Sequence, residues 1–140
     1  MRVEANLKEL GLELPGVAKT PPGVVLPFSW VRVRGNRAYV SGHGPQNPDG
    51  TMAGWGKVGA EVSLEEGYRA ARVTAWLRVF GMVNAAPGFR QMPGVINGFS
   101  DLILEVYGPE VGQHARSAVG MAELPFGIPV EVEAEVEIDP

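Results

Sequence analysis

The stretch "ARSAVGMAELPFGIPVEVEAEV", residues 115–136, decides the fold of this chain. Its first seven residues, Ala115–Met121, are small or apolar except for one arginine, and its last part, running on to Ile138, alternates apolar residues with glutamate. Both parts carry the two-residue period of a β-strand, and "AELPFGIP" between them has the proline and glycine of a turn. In the first strand Arg116, Ala118 and Gly120 share one face, and Ala115, Ser117, Val119 and Met121 share the other. In the second, Val130, Val132, Ala134, Val136 and Ile138 line one face, while Glu131, Glu133, Glu135 and Glu137 line the opposite one. Joined as a hairpin with its midpoint between Glu123 and Leu124, the two strands set Arg116 opposite Glu131.

A guanidinium is almost never fully buried without a partner. Arg116 therefore reaches solvent, pairs with an acid, or waits for an anionic ligand. Two readings of the pair stand side by side. In one, Arg116 and Glu131 form an ordinary cross-strand ion pair at a solvated surface, contributing little to stability. In the other, a cationic fork walled by the smallest side chains holds a small carboxylate, and the glutamate activates a water. Glu133, Glu135 and Glu137 read as a solvated sheet face.

Working outward, "WLRVFGMV" (Trp76–Val83) is short, apolar and β-rich, hence a strand. "NAAPGFRQMPG" reads as a loop, and Ser100 as the cap of a helix over Asp101–Tyr107 that stops at Gly108-Pro109. Ser63 with Glu66 three residues on forms a capping box, opening a helix from Leu64 to Ala75. That helix meets the strand at Ala75–Trp76 with no turn between them, a junction without the usual loop. "FSWVRVRGNRAYVSG" is a hairpin turning at Gly35-Asn36, its return strand ending at Ser41-Gly42. An amphipathic helix occupies Val3–Leu10 within an N-terminal segment 1–14, with Gly11 as its stop, and proline-rich residues 15–27 form an extended connector. The order is helix, two strands, helix, strand, helix, two strands. It predicts one α+β domain over 1–140, with two main helices on one face of a mixed sheet.

Composition narrows the function. The 140 residues are 45% hydrophobic and 20% charged, ordinary for a soluble globular domain. A formal net charge of −4 and the lack of a basic run argue against nucleic-acid binding through phosphates. No apolar run is long enough to span a membrane, and the N-terminus fits neither a secretory signal nor a transit peptide, so a cytoplasmic location is expected. With no cysteine there is no disulfide, thiolate nucleophile or cysteine–zinc site. His43 and His114 are the only histidines; they lack further ligands at metal spacing and read as turn or structural residues. Trp30, Trp55 and Trp76 read as packing residues. "GTMAGWGKVGAE" is glycine-rich but lacks the ending of a P-loop.

On "RGNRAYVSGHGPQNPDG", "ARSAVGMAELPFGIPVEVEAEV" and the capped helix after Ser63, nearly the whole chain resembles the RidA/YjgF (endoribonuclease L-PSP) family. The extra N-terminal helix, "INGFSDLILEVYG" and "HARSAVG" resemble a side branch of it. The resemblance implies a chorismate-mutase-like subunit and a homotrimer with three clefts at its interfaces. It implies hydrolysis of enamine/imine intermediates such as 2-aminoacrylate to a 2-keto acid and ammonia, with no metal or organic cofactor. By position, Arg116 matches the family's clamp for the substrate carboxylate, and Glu131, fifteen residues on, the glutamate that positions water. Gly42 matches a cleft backbone that donates an N–H. Ala118 stands where a cysteine is common, and Phe28 where the family has a cleft tyrosine, so that a hydroxyl is lost. Asp101 lies near a family asparagine, but the helix–loop spacing differs and it is not assigned. The family also carries about a dozen or more additional residues before the strand beginning at Trp76. The expected function is thus an enamine/imine deaminase acting on a small carboxylate-bearing substrate. The alternative, favoured by Phe28, is a non-catalytic trimeric carboxylate-binding protein.

Overall fold

The computed structural model describes residues 2–13, 16–17, 19–20, 22–71 and 78–137. Helix α1 (Arg2–Glu9) precedes strands β1 (Val31–Arg34) and β2 (Arg37–His43), helix α2 (Leu64–Ala71) and strand β3 (Arg78–Asn84). Helix α3 (Met92–Val111), strand β4 (Ala115–Met121), a 3-10 turn (Pro125–Gly127) and strand β5 (Val130–Glu137) follow. The junction at Ala75–Trp76, the last turn of the expected second helix, and Ile138 lie outside the described residues.

The five strands are ordered β1-β2-β5-β3-β4, all antiparallel except the parallel pair β3–β4. A parallel pair needs a crossover, and α3 supplies it. This overturns the hairpin expected of the last two strands: β4 pairs with β3 alone, while β5 inserts between β2 and β3. The physical reason lies in the linker. Eight residues separate Met121 from Val130, more than a tight hairpin uses and enough to step across a neighbouring strand. The central position also suits β5, whose Val130, Val132 and Ala134 are all buried.

One face of the sheet carries the core. Val79, Val83, Val130 and Val132 pack against Val95, Ile96, Phe99 and Ile103 of α3, with Val58 from the preceding loop. The helices therefore cover one face, as the α+β pattern implied. Helix α3 is much longer than the Asp101–Tyr107 expected. Pro93 sits in its first turn, where the missing N–H costs nothing. Gly108 (φ 79°) and Pro109 kink the helix rather than end it. Ser100 is consequently an interior residue, not a cap. Asn6 of α1 donates to the Val106 carbonyl at 2.6 Å just before the kink, tying the N-terminal helix to α3.

The opposite face is largely uncovered. At one end Leu124 and Ile128 fold over Met82. Elsewhere Glu135 pairs with Arg37 at 3.0 Å and Asn36 donates to Glu137 at 2.6 Å, the solvated acidic face the alternation implied. Asn84, at the end of β3, is buried and fully bonded. Its Oδ1 accepts from Lys57 Nζ (2.9 Å), its Nδ2 donates to the Ile128 carbonyl (3.1 Å), and its backbone bonds Val58 and Pro129.

Candidate functional site

Arg116 sits on β4, the edge strand, directly opposite Val79 of β3. Residues facing each other across a ladder point the same way, and Val79 belongs to the core, so Arg116 projects to the helix-covered side. There α3 receives it. Nη1 donates to Ser100 Oγ at 2.9 Å, and Nη2 donates to the Pro93 carbonyl at 3.3 Å and to Asn97 Oδ1. Pro93, Asn97 and Ser100 are spaced four and three apart and so present one helix face to the strand. All three acceptors are neutral. Among the described residues no carboxylate pairs with Arg116, so its charge is positioned but not compensated.

The opposing carboxylate is elsewhere. Glu131 lies opposite Met82, whose face is the one away from α3. Arg116 and Glu131 thus project from opposite faces of the sheet within one chain. The cross-strand ion pair is excluded along with the hairpin register that suggested it.

Glu131 has its own setting at a β-bulge. Val40 pairs with Ala134 and His43 with Val132, leaving Ser41 and Gly42 together opposite Glu133. Strand β2 thus runs through Ser41-Gly42 to His43 rather than ending there, and the bulge bends it. A Cβ on Gly42 would lie 1.8 Å from Glu131 Oε1, so only glycine lets the carboxylate lie against this backbone. Burial, and after it the neighbouring Glu133 carboxylate, push the Glu131 carboxyl above the usual carboxylate range. A carboxyl shifted this way holds its proton to higher pH than a free one does.

An aromatic series flanks the bulge. Ser41 Oγ donates to the Ser29 carbonyl and its N–H to the Trp30 carbonyl, both at 2.9 Å. This holds Phe28, half exposed, edge-on to Trp30 with centroids 5.2 Å apart. Trp30 in turn packs on His43 at 5.1 Å. The structure therefore divides the expected residues into two groups. Arg116 and Ala118 stand with α3 at the free edge of the sheet; Phe28, Gly42 and Glu131 gather around the bulge. Sequence reading missed Asn97, and took Ser100 for a helix cap rather than a partner of Arg116. The signal that finds them is the position of Pro93: once it is placed in a first helical turn, Asn97 and Ser100 fall on one face.

Among the described residues no group of three His, Asp or Glu side chains is placed to hold a metal ion. No helix among them is long and apolar enough to cross a membrane.

Comparison with known proteins places this arrangement. No family model matches the chain. Protein TCP17 of Trypanosoma cruzi is 41% identical over 157 aligned positions, covering 99% of this chain and 95% of that protein. That alignment is longer than the 140-residue chain, so the relative carries residues that this chain lacks. The crystal structure of Atu1372 from Agrobacterium tumefaciens, a protein of unknown function, matches with a TM-score of 0.84 at 36% identity, over 99% of this chain and 93% of that one. A Shewanella oneidensis structure, provisionally named an endoribonuclease, matches with a TM-score of 0.86 at 26% identity, over 97% and 99% of the two chains. The mixed sheet, the motifs along it and these relatives agree: the chain belongs to the RidA/YjgF family, which also bears the label endoribonuclease L-PSP.

Proposed function

We propose that the protein is a cofactor-free deaminase that hydrolyses small enamine/imine acids to 2-keto acids and ammonia, working as a homotrimer. One observation carries this reading: the Arg116 guanidinium is oriented by three neutral acceptors and leaves its positive charge for a ligand. A substrate carboxylate is the natural occupant, because charge-assisted bonds to a fork are about twice as strong as neutral ones.

Glu131 cannot reach such a ligand from its own chain, since it faces the other way. A second copy must present its bulge to the first copy's edge strand, which makes the oligomer part of the chemistry. In the reaction the enamine takes a proton at its terminal carbon and gives one up from its nitrogen to water, becoming the imine. Glu131 accepts a proton from water as the hydroxide oxygen bonds to the imine carbon and the C=N electron pair passes to nitrogen. Glu131 returns that proton to the nitrogen, giving the carbinolamine, and then carries the hydroxyl proton to the same nitrogen as the C–N bond breaks, so that ammonia leaves and the hydroxyl oxygen's electrons form the C=O of the keto acid.

Incubation with freshly generated 2-iminopropionate, following pyruvate release, tests the proposal. Arg116→Ala is expected to lower the rate by about 100-fold, the loss of a charged hydrogen-bonded clamp. Equal rates for both proteins and for buffer would remove the activity. Phe28, which has no hydroxyl to offer, favours the second reading, a trimer that binds small carboxylates without turning them over. Calorimetry with 2-oxobutyrate separates the two: Arg116-dependent binding without imine hydrolysis identifies the binder.

A further inference from the structure

The support behind Arg116 does not stop at Ser100. His114, two residues before the arginine, places Nε2 2.9 Å from Ser100 Oγ and Nδ1 2.8 Å from the Gly112 carbonyl. A carbonyl oxygen only accepts, so Nδ1 carries the ring proton. With a single ring proton, held at Nδ1, Nε2 is a bare acceptor and the Ser100 hydroxyl donates to it. This aims the Ser100 lone pairs at Arg116 Nη1, 2.9 Å away. Donation therefore runs one way, from guanidinium to hydroxyl to imidazole to carbonyl. The ring is also fixed sterically: its edge meets Phe99, a wholly buried core residue, with centroids 5.5 Å apart at 73°.

We infer that His114 is a positioning residue for anion binding: acting through Ser100, it sets the orientation in which Arg116 meets a carboxylate. The inference rests on the reading of Arg116 as the substrate clamp, but it concerns His114, which that reading does not use. Without the imidazole, the Ser100 hydroxyl is free to turn its hydrogen toward the guanidinium. The arginine then keeps its charge but loses a fixed direction.

The test uses the full-length protein and two readouts. In the first, 2-oxobutyrate is titrated calorimetrically into the wild type, Ser100→Ala, His114→Leu and the double variant. Each single change is expected to weaken binding about tenfold, the worth of one aligned hydrogen bond to a charged group. Because both act through one chain of bonds, the double variant is expected to lose about the same tenfold and not the product. His114→Gln, whose amide can donate to Gly112 and accept from Ser100, is expected to recover most of the affinity. Unchanged binding in His114→Leu, or multiplied losses in the double variant, would overturn the inference.

The second readout needs no ligand. Nitrogen-15 spectra are expected to show the Nδ1–H tautomer of His114, and slower rotation of the Arg116 guanidinium in the wild type than in His114→Leu. An Nε2–H tautomer or identical rotation would overturn the inference whatever the ligand. Failure of the clamp reading looks different: Arg116→Ala would then bind 2-oxobutyrate as the wild type does, or neither would bind, while the spectra kept their expected form.

Discussion

Glycine 42 and Glu131 set one another's limits. A methyl group at position 42 would overlap the carboxylate, yet that carboxylate is the far end of a flexible side chain and can swing away. Gly42→Ala is therefore expected to fold with a melting temperature close to the wild type's, and to lose about tenfold or more in turnover or keto-acid binding as Glu131 is displaced. Glu131 itself makes a pH statement. Its folded pKa is raised, first by burial and then by Glu133, so ionising it works against folding. The contribution is fully present below the unfolded carboxyl pKa and is lost as pH rises through the folded one. Glu131→Gln is accordingly expected to melt higher than the wild type at neutral pH, the gap closing as the solution is made acidic. Melting curves across that range check it; a gap that widens toward acid would show the sign to be wrong.

At the scale of elements, the crossing of α2 and α3 depends on a single missing side chain. A Cβ on Gly98 would stand 2.0 Å from the Tyr68 carbonyl oxygen, a backbone atom that cannot step aside. Gly98→Ala is expected to push the helices apart and cost about 2–3 kcal/mol, read by denaturant unfolding, as overpacking in a tight interior does. Truncating Asn84 to Ala, which would orphan the Ile128 carbonyl and uncouple Lys57, is expected to cost about as much. Gly98 also explains what the sequence concealed. The run "MPGVING" (residues 92–98) combines a proline with two glycines and so has the local character of a loop, whereas here the proline opens a helix and Gly98 admits a neighbour. The strands were more legible. The period-two alternation in β4 and β5 identified both and separated their faces correctly, and Gly35-Asn36 marked the turn between β1 and β2. Alternation carries no information about which strand lies beside which. For that reason the pairing of Arg116 with Glu131 failed. The candidate site residues came from resemblance one by one, and their partition onto two faces follows from topology alone.

For the whole molecule, two surfaces ask for company. Among the described residues strand β4, seven residues long, ends the sheet with an unpaired outer side, an edge that proteins usually cover. The face away from the helices forms a trough of about 980 Å3 lined in part by Tyr39, Arg78, Phe80, Ser117 and Glu133. Phe80 and Tyr39 are exposed there in the single chain. Sedimentation is expected to give a species of three times the 15.0 kDa chain mass. Phe80→Lys, setting a charge where sheets would meet, is expected to yield monomers with reduced turnover. A monomeric wild type with full activity would reject the shared-site arrangement.

The bulge in β2 has a bearing on what evolution could remove. Val40 and His43 already occupy the faces an unbroken ladder would give them, with one surplus residue between. Excising either Ser41 or Gly42 would leave the parity of every other position in the strand intact, and the shortened ladder would hydrogen-bond more regularly than the present one. The barrier to that deletion is not in the sheet. It lies in the small dent that receives a carboxylate, so a variant one residue shorter should be the sturdier protein and the poorer catalyst.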